Sequence, residues 1–237
     1  MIRALFLGLC LALAVGFAAL GVWQVERLQW KQALIATVEA RLAAAPVVPP
    51  SAPDWSPDQA YTRVVVEGVF RNDRETLVQA LTERGAGFWV LTPLDTGQGV
   101  ILINRGFVTP ELRDPAARPA VAPTGPVSVT GLLRASEPGG AALRANAPAD
   151  GRWYSRDVAA IAAARGLTGR VAPYFIDADA SATPNAWPVG GLTVVRFPNS
   201  HLVYALTWFG LCALSIAGAV LVWRDRRRRP DISAARS

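Results

Sequence analysis

ALFLGLCLALAVGFAALGVWQV, residues 4–25, places 22 consecutive uncharged residues near the start of the chain. A second run of the same length, LVYALTWFGLCALSIAGAVLVW at residues 202–223, lies near the other end. A hydrocarbon core of about 30 Å takes roughly 20 residues of helix to cross. In lipid a helix satisfies its own backbone hydrogen bonds, which an open strand cannot do. The pair of runs predicts two membrane helices, at residues 4–23 and 201–223. Arg3 and the small pair Ala18-Ala19 also allow a cleaved signal peptide, although the apolar stretch exceeds the about 7–15 residues of that role. Cys10 follows Leu9 rather than a small residue, which argues against lipoprotein processing.

Orientation follows from the arginines. Residues 224–237 begin Arg224, Asp225, Arg226, Arg227, Arg228, Arg229, and such clusters stay in the cytoplasm. Two spans then put both termini there and leave the middle of the chain outside, with Arg27 and Lys31 weighing weakly the other way. The formal charge of +6 divides accordingly: residues 24–200 carry 17 basic and 16 acidic groups, so the excess belongs to the flanks. A basic balance of this kind records topology and does not predict nucleic-acid binding. Both cysteines, Cys10 and Cys212, fall in the spans, which leaves the outer domain without a disulfide or a thiolate metal site. The first span begins almost at Met1, with no Arg- and Ser-rich presequence before it. The expectation is a bacterial inner membrane protein with a periplasmic central domain and the lipid bilayer as its constant partner.

Between the spans, residues 24–60 predict a helical stalk ending at the stiff spacer Pro46-Val47-Val48-Pro49-Pro50. Residues 61–200 predict a β-rich domain. Strand-like runs appear at Tyr61–Phe70, Glu75–Ala80, Phe88–Leu94, Val100–Val108, Val127–Arg134, Tyr174–Asp177 and Leu192–Phe197, separated by Gly, Asp, Asn or Pro. One helix, Asp157–Arg165, has Ser155 or Asp157 as its cap and Gly166 behind it. Pro110–Pro126 and Glu137–Gly151 are read as mobile loops. The fold class is an α+β membrane protein, with terminal helices flanking an antiparallel sheet or barrel-like domain.

Chemistry-bearing motifs are few. No G-x-S-x-G, Gly-rich phosphate loop or H-E-x-x-H occurs, and no nucleophile sits with a base, so an enzyme is not expected. Asp177 and Asp179 are read as ordinary solvated carboxylates. The sole methionine is Met1, which excludes a thioether copper chaperone. His201 is the only histidine, and it stands where the domain meets the second span. Two readings stand side by side: an amphipathic ring at the membrane surface, or a metal or haem-iron ligand. Tyr204 and Trp208 follow at helical spacing, and Trp23 and Trp30 border the first span at the same level. An apolar groove with Arg196, Arg27 or Arg105 for propionates is the site this pattern suggests.

The sequence resembles the Surfeit locus protein one family of cytochrome oxidase assembly factors, from about Gly21 to Trp208. The likeness rests on Gly21-Val22-Trp23-Gln24 with Arg27, Trp30 and Lys31; on Tyr61, Gly68 and Phe70; and on Val90-Leu91-Thr92-Pro93. It continues through Ile101–Val108 (ILINRGFV, with Thr109 inserted before the family's proline), Asn146-Ala147-Pro148 and Trp153-Tyr154-Ser155-Arg156-Asp157. Phe175-Ile176-Asp177, Gly190-Gly191-Leu192-Thr193 and Asn199–Trp208 complete it. The resemblance implies a non-enzymatic factor that helps haem a reach the catalytic subunit of a haem–copper oxidase, alongside a haem a synthesis enzyme. It implies His201 as axial ligand, and the spacing described above makes Tyr204, Trp208, Trp23 and Arg196 the candidate pocket around it. Gln24, Arg27, Asn104, Arg105, Gly106, Trp153, Tyr154, Arg156, Asp157 and Asn199 belong to family motifs whose chemical roles the resemblance leaves open. Gly106 reads as a turn or bulge requirement, and Arg105 and Arg156 as structural ion-pair donors, with propionate binding as the alternative for both. The competing reading is a scaffold that holds an oxidase subunit and touches no haem.

Overall fold

A computed structural model describes residues 2–120, 122–141, 143–181, 186–193, 195 and 197–228. Contacts divide the chain into two compact units, Met1–Thr37 with Arg196–Ser237, and Val38–Val195. The elements run α1 (Ile2–Ala43), β1 (Arg63–Phe70), β2 (Thr76–Thr82), β3 (Gly85–Asp95), β4 (Val100–Val108), β5 (Pro126–Ala135), β6 (Gly140–Ala141), β7 (Arg144–Ala145), α2 (Val158–Ala164), β8 (Val171–Ala178) and α3 (His201–Arg228).

The first unit is a pair of apolar helices. Each is long and apolar enough to cross a membrane, and most of each helix surface is exposed. That exposure fits lipid better than water, because a water-soluble helix so apolar would be buried. Contacts between α1 and α3 run antiparallel. Arg3 pairs with Asp225 at 3.4 Å, Cys10 packs over Gly218, and Phe17 stacks on Trp208 with ring centroids 5.7 Å apart. The series continues with Gly21 beneath the Phe209 ring, and Lys31 lies 5.4 Å from the Phe197 ring. Small residues at the contact (Ala14, Gly21, Ala205, Ala219) let the backbones approach, as van der Waals packing in lipid requires. A Cβ at Gly21 would fall 2.6 Å from the Phe209 ring.

The second unit is β-rich. Its six-stranded sheet runs β1-β5-β8-β4-β3-β2, and β1 also pairs with β3 through Val69↔Asp95 and Phe70↔Leu94, which closes a barrel-like loop of five strands. All pairings are antiparallel except β4–β8. Side-chain alternation sorts the core into two layers. Val64, Val66, Ile101, Ile103, Leu133, Tyr174 and Ile176 fill the barrel. Leu91, Leu102 and Phe175 face outward and are covered by Trp153 and by Val158 and Ile161 of α2. Strand β4 is therefore buried on both faces, the reason ILI reads as an uninterrupted apolar run at residues 101–103.

Asp157 caps α2, its Oδ1 accepting from the Ala160 amide at 3.1 Å, and Gly166 follows with φ +61°. Two sequence expectations differ from this picture. The described residues of 192–197 form no strand, Thr193 donating its hydroxyl to Asp177 at 2.9 Å, while residues 194 and 196 lie outside the described residues. The stretch at 137–151 is structured: it holds the β6–β7 hairpin and a 3₁₀ turn at Pro148–Asp150, tied down by Asn146 and Ser155.

Candidate functional site

His201 opens α3, and among the described residues its ring meets a single polar group. Nδ1 lies 2.8 Å from Oε1 of Gln24, which α1 brings to the same level. Gln24 is 8% exposed, an uncommon setting for a carboxamide on an apolar helix. Its partnership with the imidazole resolves that cost, because a buried polar group without a hydrogen bond is expensive. The His201 amide faces the Asn199 side chain at 3.4 Å. Among the described residues no group of three or more His, Cys, Asp or Glu is arranged to hold a metal ion. Among the described residues only Nδ1 of this ring has a hydrogen-bond partner.

The residues expected around His201 are only partly brought together. Trp208 stacks with Phe17 in the helix contact. Tyr204 is 53% exposed and Trp23 50% exposed, so both point outward. Gln24, the neighbour of Trp23, is the residue that faces the histidine; a rotation of about 100° per residue separates the two directions. Arg27 lies over the Trp30 ring, 4.4 Å from its centroid. Arg196 lies outside the described residues. Arg105 belongs to the β-rich unit.

A second polar cluster sits within that unit, around Asp177 of β8, which is 3% exposed. Asn104 donates to its Oδ1 at 2.8 Å, Arg134 to Oδ2 at 2.6 Å, Arg156 to Oδ1 at 3.1 Å and Thr193 to Oδ2 at 2.9 Å. Parallel pairing sets Asn104 directly beside Asp177. Arg156 also pairs with Glu137 and lies 4.7 Å over the Phe175 ring. Burial alone would raise the Glu137 carboxyl, yet the hydrogen bonds and charge of Arg156 outweigh it and hold the group below its ordinary value. Burial alone would likewise lower Arg156, and Glu137 together with the Asp177 charge pushes it above its usual range. The reading of Asp177 as a solvated carboxylate is thus corrected: β8 buries it, and two guanidinium groups repay the desolvation.

This chain matches the family model described as "SURF1 family" over residues 11–213. The chain belongs to the SURF1 family. It is 36% identical over 230 residues to a "SURF1-like protein" of Monosiga brevicollis, covering 91% of this chain and 86% of the relative. It is 36% identical to "Surfeit locus protein 1" of Mus musculus over 211 residues (82% and 68%), and 36% identical to that of Homo sapiens over 214 residues (82% and 69%).

The SURF1-type motifs now acquire positions. Asn104 orients Asp177 and also accepts from the Gly106 amide at 3.2 Å. Gly106 has φ +127°, and a Cβ there would fall 2.2 Å from the Val189 carbonyl. That close approach lets Phe107 and Val189 exchange backbone hydrogen bonds at 2.9 Å each. Trp153 is buried under α2, and Asn146 Oδ1 accepts from the amides of Tyr154 and Ser155 at 2.8 and 3.1 Å. Arg156 is the ion-pair donor expected of it. Arg105 differs: among the described residues it pairs with no acid, and its guanidinium lies 4.8 Å over Phe70 with Asn72 Oδ1 at 3.4 Å. Its nearest acid, Glu75, is taken by a bidentate Arg118 at 2.7 and 2.8 Å. Burial lowers the Arg105 pKa, offset in part by the Glu75 charge.

Sequence reasoning named Gln24 and Thr193 without giving either a partner, and it gave Arg134 and Glu137 no role. A usable signal existed for Asp177, an acid embedded in the strand YFID at residues 174–177.

Proposed function

We propose that this SURF1-family chain is a non-enzymatic, two-pass membrane factor for haem–copper oxidase assembly, with His201 as an axial ligand during haem a handling. The observation that carries the reading is the sole histidine held at the helix pair by Gln24, with Nδ1 engaged and Nε2 remaining. Bound haem a would supply an iron that takes an axial nitrogen and two propionates that take cations. The donor set fits. His201 offers the nitrogen, Lys31 and Arg27 offer cationic heads on the same unit, and Phe17 with Trp208 offers an apolar, polarisable wall. The partners of this reading are the oxidase catalytic subunit and a haem a synthesis enzyme. Its location is a bacterial inner membrane, with both termini cytoplasmic and residues 61–200 periplasmic.

The test expresses the full chain with haem a synthesis enzymes and measures copurifying haem by its spectrum and stoichiometry. Wild type is expected to carry haem and His201→Ala to lose it. Equal haem in both proteins refutes the ligand assignment. If neither carries haem, and a deletion strain makes haem-replete oxidase, the scaffold reading replaces this one.

A further inference from the structure

Imidazole reaches a metal through one nitrogen, and which nitrogen is free depends on where the ring proton sits. That choice is commonly made by a group one step away from the metal, which receives the proton of the other nitrogen. Gln24 occupies this position. Its Oε1 lies 2.8 Å from His201 Nδ1, and the residue is buried near the end of the uncharged run of α1. The contact is held from both sides, by Gly21 seated under Phe209 one turn before and by Lys31 against Phe197 two turns beyond. Among the described residues no other polar side chain meets the ring.

We propose that Gln24 is the positioning residue of the His201 site: by accepting the Nδ1 proton it fixes the tautomer and ring orientation that present Nε2 as an iron ligand. The proposal rests on the assignment of His201 as a haem ligand. Polar contact across the helix pair also registers α1 against α3, so the ring is aimed by the helix that does not carry it. An alkyl group at residue 24 would leave both tautomers equally available and the ring free to turn.

The test titrates full-length protein in detergent with hemin, follows the Soret band, and measures the reduction midpoint of the loaded protein. Wild type, His201→Ala, Gln24→Leu and Gln24→Glu are compared. Gln24→Leu should bind about 10–100-fold more weakly, the usual cost of losing a ligand-orienting partner. Gln24→Glu keeps an acceptor at the same reach, so it should bind within about threefold of wild type. Its midpoint should become more negative, because a carboxylate draws the Nδ1 proton harder and makes Nε2 a stronger donor. Wild-type affinity in Gln24→Leu overturns the proposal, as does an unchanged midpoint in Gln24→Glu. Equal loss in both variants also overturns it, since that marks a packing role alone. Failure of the parent assignment looks different: wild type then takes up no hemin, or His201→Ala binds as wild type does, and either result overturns both.

Discussion

Replacing Asp177 by asparagine removes one negative charge from the most connected polar position in the β-rich unit. In the wild type its carboxylate accepts from Asn104, Arg134, Arg156 and Thr193, and the flanking guanidinium groups are only 18% and 13% exposed. Asparagine keeps the volume and one acceptor oxygen, but its amide nitrogen then faces arginine donors. Arg156 retains Glu137, whereas Arg134 keeps no direct ion pair among the described residues and feels the Glu137 charge only at longer range. Breaking a buried pair by removing one partner costs about 3–5 kcal/mol. At about 2–4 °C per kcal/mol for a unit of this size, the melting temperature should fall by roughly 6–20 °C. The assay is thermal unfolding of the full-length protein in detergent, followed by near-UV circular dichroism from the buried Trp153 region. A second measurement sharpens it: adding Arg134→Met to Asp177→Asn should cost less than the two single changes summed, because the stranded charge is gone. An Asp177→Asn melt within about 2 °C of wild type, the range of a surface substitution, would refute the reasoning.

Gly106→Ala should lower the melting temperature by about 2–12 °C, since a positive-φ alanine stores about 1–3 kcal/mol and its Cβ would press on the Val189 carbonyl; an unchanged melt would mean that segment shifts freely. Thr92→Val should raise it by about 2–4 °C, because the buried Thr92 hydroxyl has no hydrogen-bond partner among the described residues and a methyl group loses nothing there; a lower melt would reveal a partner. Glu137 is held below its ordinary pKa of 4.5, so its contribution is present above about that pH and is lost as pH falls through the depressed value. Glu137→Gln should therefore be less stable than wild type at neutral pH and equal to it in strong acid, as acid-unfolding curves would register; a gap that persists at pH 2 would assign the effect to packing. Tyr174, pushed up to about 12 by burial, should contribute stability below about pH 10 that fades as pH rises towards 12, and the absorbance difference between wild type and Tyr174→Phe should place its ionisation near pH 12.

The strands from residue 61 to 135 are legible in sequence because β-branched runs there are punctuated by turn residues, a local signal. Closure is not legible. It depends on β8 pairing with β4 across some 70 residues, and only that register sets Asn104 beside Asp177. At Leu192–Phe197 the apolar run does not reveal that Thr193 donates to a buried carboxylate. At the helix pair, the two apolar helices are plain from hydropathy alone, yet Gln24 rather than Trp23 meets His201. That outcome depends on the rotation of one helix against another, which neither sequence specifies by itself.

Strand β8 lies between β4 and β5, and it has a consequence for the order in which the chain can be completed. Without it the sheet separates into β4-β3-β2 and β1-β5, joined only by the two residue pairs between β1 and β3. Among the described residues, 171–178 are also the last strand to leave the ribosome, with residues 179–200 between them and the second apolar helix. At about 5–20 residues per second, β5 waits about 2–9 s for its neighbour, exposing ladder edges all the while. Barrel closure and arrival of the second helix therefore fall within seconds of each other. A chain that stops short of residue 171 presents two open edges to whatever meets them first.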